Sequence, residues 1–110
     1  MSVSAPFTPS GNTVTFLANT SPPTAVQAVS TTLGGNQYRI INGGSVLVFL
    51  GIGRDAAGAV ANAAVVSSTG QAIPLLAGTD EIITFLPNAY FTGITSSGTA
   101  SVFITPGDGS

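Results

Sequence analysis

Histidine, lysine, cysteine and tryptophan are all missing from this chain of 110 residues, and its entire charge rests on two arginines and four carboxylates. Proton transfer, nucleophile activation and metal ligation draw mostly on His, Cys, Lys and converging carboxylates. A chain without them lacks the usual materials of an active site, so the sequence reads as a non-enzyme that carries no cofactor and no metal. Only Arg39 and Arg54 are positive and the formal charge is −2, whereas nucleic-acid binders need several cations to displace counterions from phosphates. Nucleic acid is therefore not an expected partner. The longest apolar run, Val46 to Ile52, is far short of the roughly 20 residues of a membrane-spanning helix, and no membrane association is expected. Residues Met1 to Pro9 show neither the basic head nor the apolar stretch of a secretory signal, so the expected place of synthesis is the cytoplasm. The lack of cysteine agrees with that but decides little, since disulfide-free domains occur in every compartment.

What is present is neutral. Ser, Thr, Asn and Gln supply the polarity, set among 14 Gly and 7 Pro, while 44% of the residues are apolar. That apolar share is ordinary for a globular protein and too high for a disordered one. Aromatics are few, so the core has to be built from Val, Ile, Leu and six Phe. One core suits this length. The reading is a single domain over residues 13–110, preceded by an extended arm over 1–12 in which Pro6, Pro9 and Gly11 discourage regular structure.

Short β-favouring segments recur at nearly even spacing: Thr13–Leu17, Ala25–Val29, Gln37–Asn42, Val46–Ile52, Ala64–Ser67, Ala72–Leu76, Glu81–Leu86, Tyr90–Thr95 and Thr99–Thr105. Between them lie turn formers such as Gly34-Gly35, Asn42-Gly43-Gly44, Ser68-Thr69-Gly70, Leu86-Pro87-Asn88 and Ser96-Ser97-Gly98. Eight or nine short strands at about 8 to 12 residue intervals point to an all-β fold, an antiparallel sandwich of jelly-roll-like kind. Asn42-Gly43 has the residues of a type I′ turn and predicts a hairpin joining Tyr38–Ile41 to Val46–Leu50. Ser96-Ser97-Gly98 predicts a second turn of that sort between the last two strands. Asp55 to Val66 offers a cap and a run of alanines, but Gly58 interrupts it and its apolar residues are too small to define a face. An extended or irregular loop is the expectation there, and a long loop on a β scaffold is a common place for binding.

No constellation of reactive groups survives inspection. Asp80-Glu81 is the one adjacent carboxylate pair, and neighbours in a strand face opposite ways, so a turn followed by a strand start explains it better than acid/base chemistry. Asp55, Asp80, Glu81 and Asp108 lack the spacing of a calcium loop, and serine chemistry has no base to work with. Arg54-Asp55 reads as a solvated loop pair, with display to a partner as the sharper alternative. Arg39 is unexpected in mid-strand, where it points to solvent or pairs with one of the four acids across an interface.

Apolar excess is the informative feature. Along Val46, Leu47, Val48, Phe49 and Leu50 both faces want burial, and Ile82-Ile83 and Val102-Phe103-Ile104 breach alternation in the same way. A two-layer sandwich covers one face of each sheet. The other face must be overlain by the chain's own loops or arm, or meet another protein. The second reading is preferred, because an open apolar patch on a weakly charged protein invites aggregation. The candidate interface is then Val46, Leu47, Val48, Phe49 and Leu50, one row holding the fold and the other open, with Arg39, Arg54 and Asp55.

From Tyr38 onward the order of features resembles the head decoration, or cement, proteins of tailed bacteriophages. The likeness lies in Arg39-Ile40-Ile41-Asn42-Gly43-Gly44 leading into Val46-Leu47-Val48-Phe49, then Ile73-Pro74-Leu75-Leu76-Ala77-Gly78, Glu81-Ile82-Ile83-Thr84-Phe85, and the close from Ser97 to Gly109. The region Asp55 to Asn62 departs from it in being longer than the expected turn. The resemblance implies a β fold on the outside of the capsid shell that bridges major capsid protein subunits, itself a homo-oligomer, dimer or trimer. It transfers no functional residue, because the shared positions look structural. A receptor- or carbohydrate-binding module of a phage tail or head fibre is the alternative, weakened by the absence of tryptophan and the presence of only two tyrosines, Tyr38 and Tyr90.

Overall fold

A computed structural model of the chain describes residues 8–29, 36–63 and 72–108. Within them, side chains alternate between buried and exposed as a half-covered sheet requires. Phe16 and Ala18 are buried around exposed Leu17, Tyr38 and Ile40 around exposed Arg39, and Val102 and Ile104 around exposed Phe103. In chain order the elements are β1 (Thr8–Pro9), β2 (Val14–Ala18), β3 (Val26–Gln27), β4 (Gln37–Asn42), β5 (Val48–Gly53), α1 (Ala56–Asn62), β6 (Ile73–Leu75), β7 (Asp80–Thr84), β8 (Tyr90–Ile94) and β9 (Ala100–Asp108).

The fold is an all-β antiparallel sandwich with one short helix. One sheet places β9 between β4 and an edge shared by β1 and β2, with β7 beyond β4; the other runs β3-β8-β5-β6. Thr8 and Pro9 lie opposite Asp108 and Gly107, so the end of the proline-containing first segment is part of the sheet. Most connections between consecutive strands pass from one sheet to the other, and β5 to β6 is an in-sheet step. The inward residues Phe16, Tyr38, Ile40, Val48, Leu50, Leu75, Phe91, Val102 and Ile104 meet in the one core between the layers. Tyr38 and Phe91 pack edge to face there, ring centroids 4.8 Å apart, as the ring quadrupoles favour.

The expected strands at 13–17, 25–29, 37–42, 46–52, 72–76, 81–86, 90–95 and 99–105 each find a counterpart, with ends shifted by a few residues. The expected strand Ala64–Ser67, the turns at Gly34-Gly35 and Ser68-Thr69-Gly70, and residues 1–7 of the arm lie outside the described residues. Two connections differ from expectation. Asn42-Gly43 does not close a hairpin, because β4 and β5 belong to different sheets and this segment carries the chain between them. Ser96-Ser97-Gly98 likewise turns the chain from β8 in one sheet to β9 in the other. Gly98 takes the positive φ of +78° there, whereas Gly43 and Gly44 are not among the described residues with positive φ. What Gly44 provides is close approach: a Cβ at that position would stand 2.4 Å from the Cβ of Ala100.

Asn42 is the reason the chain crosses here. Its side chain is fully buried, where an amide costs stability unless its hydrogen-bonding groups are matched. The Nδ2 group donates to the carbonyls of Val46 at 2.9 Å and Leu75 at 3.0 Å, and Oδ1 accepts from the Gly44 N–H at 3.0 Å. Its backbone N–H donates to Thr79 and its carbonyl accepts from Gly78. One residue thus fastens the crossing segment, β6 and the turn that follows β6.

The helix is the other difference. Asp55 caps it, accepting from the Gly58 N–H at 2.7 Å, but seven residues are too short to be stable alone. Tertiary fit holds it. A Cβ on Gly51 would come within 2.3 Å of the Ala59 carbonyl oxygen, and one on Gly53 within 2.3 Å of the Ala59 nitrogen, so α1 lies flush on the outer face of β5. Small residues that define no face by size meet the strand where it has no side chains, at Gly51 and Gly53.

Replacing Asn42 by Ala strips partners from the buried Leu75 carbonyl and from the half-buried Val46 carbonyl and Gly44 N–H. At about 1–3 kcal/mol for each unmatched buried group, the loss is expected to be about 3 kcal/mol, measured as the shift in urea unfolding of the variant. A change below about 1 kcal/mol would show that the amide is not what holds the crossing.

Candidate protein interface

The residues singled out in the sequence fall in two places. Val48 and Leu50 are fully buried between the sheets, Phe49 is 8% exposed, and Val46 and Leu47, which precede the strand, are half-buried. With α1 covering Gly51 and Gly53, β5 is buried along its whole length on both faces. The expectation that one row of Val46 to Leu50 is open to a partner is therefore corrected: Val48, Phe49 and Leu50 are all buried, and further along the strand the chain's own helix lies over Gly51 and Gly53 on the face that the sandwich leaves over.

Arg39 stands on the opposite side of the molecule, on the outer face of the β9 sheet. Its Nε and Nη2 donate to the same Asp80 oxygen at 3.2 and 3.0 Å, with both side chains about half exposed, 50% and 48%. A pair that open to water contributes little, up to about 1 kcal/mol. Arg54 and Asp55 lie at the start of α1, beside a shallow cleft of about 340 Å³ lined also by Ile52, Asn62 and Phe85. The cleft's polar groups hold the helix in place, Asp55 through its cap and Asn62 through a 2.8 Å bond from Nδ2 to the Ile52 carbonyl. The structure does not bring Arg39 together with Arg54 and Asp55.

It does assemble a surface on the β9 sheet that the sequence reading had not selected. Register places Thr15, Phe103, Ile41 and Asp80 in one cross-strand row, with Thr105, Arg39 and Ile82 in the next and Leu17 beside Ser101. Phe103 is 39% exposed and Leu17 52%, while Ile41 and Ile82 are half-buried. Around these apolar groups the hydroxyls are engaged locally: Thr15 donates to the Val102 carbonyl at 2.9 Å, and the Thr13 and Thr105 hydroxyls are 2.7 Å apart. The signal was legible, since Ile82-Ile83 and Val102-Phe103-Ile104 breach alternation. Only the strand with the stronger excess turned out to be covered.

The buried phenol of Tyr38 donates to the Leu86 carbonyl and accepts from the Ala89 N–H at 3.1 Å, pinning the turn between β7 and β8. Burial raises its pKa above the usual 10.0, partly offset by the Ala89 N–H, which favours the phenolate. Among the described residues no three His, Cys, Asp or Glu side chains gather as a metal site. Comparison with protein-family models, with curated proteins and with solved structures finds no match for this chain. Chemically, the outer face of the β9 sheet offers area, apolar contact, hydroxyl groups and one ion pair, Arg39–Asp80.

Two outcomes follow. Aspartate at Phe49 places a charge at a buried position and is expected to prevent folding, whereas aspartate at Phe103 leaves a folded chain destabilised by at most about 2 kcal/mol; circular dichroism and melting separate the two, and a folded Phe49→Asp would contradict the burial described. For Tyr38 the folded state holds the phenolic proton more tightly than the unfolded chain does. Its contribution is complete below about pH 10 and is lost as pH rises from there through the raised folded pKa. Urea midpoints between about pH 9 and about pH 11 should fall more steeply for the wild type than for Tyr38→Phe, and parallel profiles would show that the phenol is not the titrating group.

Proposed function

We propose that the chain is a structural virion protein, a decoration or cement protein that binds the outside of a tailed-bacteriophage head and bridges major capsid protein subunits to stabilise the shell. The observation that carries this reading is the outer face of the β9 sheet, where Phe103, Leu17, Ile41 and Ile82 stand among threonines and beside the Arg39–Asp80 pair, whose opposite charges offset each other. Such a face suits contact with another neutral protein surface, and it is poor in groups that would transform or coordinate a ligand. The resemblance from Tyr38 to Gly109 supplies the partner class. The fold supports it in one further respect. Counting β1 and β2 as one strand, the two sheets read first-last-third-sixth and second-seventh-fourth-fifth, and we take that order as a jelly roll, an architecture of viral capsid domains and also of lectins.

Attachment in this reading is repeated many times over a shell, so modest contacts add through avidity when each copy engages more than one subunit. The protein would be made in the host cytoplasm and would end on the capsid surface.

Mass spectrometry of purified phage particles tests the proposal, with copy number scaled to the major capsid protein. Many copies in fixed ratio to the shell are expected, and they should stay bound in about 1 M salt, where the screening length falls to about 3 Å and ion pairs weaken. Absence from the particle, or a few copies confined to the tail, would overturn the decoration reading. Release by salt alone would overturn the apolar contact.

A further inference from the structure

Most of the sheet edges in this sandwich are blunted. β7 begins with the exposed carboxylates Asp80 and Glu81, β6 is three residues long with Pro74 at its centre, and β3 is two residues long. Charge, proline and shortness are the ways in which an edge avoids accepting a further strand. β2 has none of these protections. It runs five residues, its ladder partner among the described residues is β9 on one side, and no charge or proline occurs from Asn12 to Thr20. Every second residue of such a strand turns its N–H and C=O to the free side.

We propose that β2 pairs with β2 of a second copy of this chain, antiparallel about a two-fold axis, so that the two β9 sheets become one. A two-fold sets residue i against residue j and j against i, so the same short stretch of edge supplies both sides of the pair and any charge on it meets a like charge nearby. An edge that pairs with itself therefore has to be free of charge, and β2 meets that condition while β7 does not. A foreign strand drawn by charge would find no complement here. Register follows from burial. Phe16 and Ala18 face the core and Thr15 and Leu17 face out, and a slip of one residue would turn the buried set outward. Pairing centred on Phe16 keeps all five residues in the ladder and places Thr15 opposite Leu17 of the second copy.

The pairing belongs to the free protein and does not depend on attachment to a shell. If the decoration reading also holds, the dimer presents two Phe103 faces side by side and can span two shell subunits.

The test uses the purified full-length chain. Sedimentation over a range of concentrations is expected to show a monomer–dimer equilibrium, and Leu17→Lys, an exposed substitution that puts a charge on the edge and a like charge on the diagonal of the pair, is expected to give monomer with unchanged circular dichroism and melting. Register is read by cross-linking. Directly opposed residues of an antiparallel pair have Cα atoms about 4.5–5.5 Å apart, within the span of a disulfide, and the chain has no cysteine of its own to give a background. Thr15→Cys and Leu17→Cys, made separately and mixed under oxidising conditions, should form a disulfide-linked dimer in the mixture far in excess of either variant alone. Wild type that stays monomeric at every concentration, a dimer that Leu17→Lys leaves intact, or cross-linking no greater in the mixture than in the separate variants would each overturn the proposal. Absence of the protein from phage particles would overturn the decoration reading alone and leave these results standing.

Discussion

The buried amide of Asn42 is the point on which the arrangement of the sandwich depends. Strand β4 ends in one sheet and β5 begins in the other, so the backbone between them leaves its ladder at the rim of the core, with Gly43 and Ser45 exposed and Gly44, Val46 and Leu47 half-buried, and carbonyls left unpaired where water is partly excluded are costly. Asn42 supplies the missing partners from a single side chain, reaching Val46, Leu75 and Gly44 at once. Its own backbone groups fix the turn at Gly78 and Thr79. The strands on either side of the crossing are thereby set in position, β4 against β9 and β7 in one sheet and β5 against β6 and β8 in the other. Tyr38 plays a comparable part at the β7–β8 turn, so the two polar side chains that strand β4 sends into the core each lock a connection rather than a strand.

With cysteine and most charged residues missing, close approach of backbones becomes the chain's other means of cohesion. Helix α1 rests on Gly51 and Gly53, and Gly44 accommodates Ala100. Glycine and alanine bury less area per residue than leucine or phenylalanine, yet they let whole elements meet with little loss of side-chain entropy. The abundance of small residues is thus a packing solution as well as a set of turns. It also accounts for the one apolar strand that is buried throughout, because a helix of small residues is thin enough to cover it.

Strand existence was largely legible, since hydrophobic segments separated by Gly, Pro and Asn leave few other options in a chain of this length. Sheet membership was not. Asn42-Gly43 carries a local preference for a hairpin turn, and the burial of Asn42 by long-range partners at Leu75 and Thr79 overrides it; local sequence contains no record of those partners. The helix was missed for a related reason. Its face is defined by what it meets, two glycines in a neighbouring strand, and hydrophobic periodicity does not register a face made of alanine. At the candidate interface, excess apolarity identified strands with two apolar faces, but which of those faces the chain buries itself depends on tertiary packing: Val48 to Leu50 are buried, and Phe103 is exposed. That left Phe103 and Ile82, present in the sequence as breaches of alternation, to carry the open face.

Scarcity of charge ties the outer face and the free edge together. A protein surface ordinarily uses lysine and glutamate to keep edges apart and apolar patches small, and this chain has no lysine and a single glutamate. The protections that remain are local: a proline in β6, two carboxylates at β7 and a helix over β5. None of them reaches the corner where β2 meets β9. At that corner Leu17 and Phe103 stand beside an uncharged ladder edge, so adhesion by area and adhesion by main-chain hydrogen bonds are available on adjoining surfaces. A neutral surface of this kind gains little from electrostatic steering and loses little to salt. Its selectivity has to come from shape and register, which a rigid two-sheet scaffold with its crossings pinned by Asn42 and Tyr38 is built to hold.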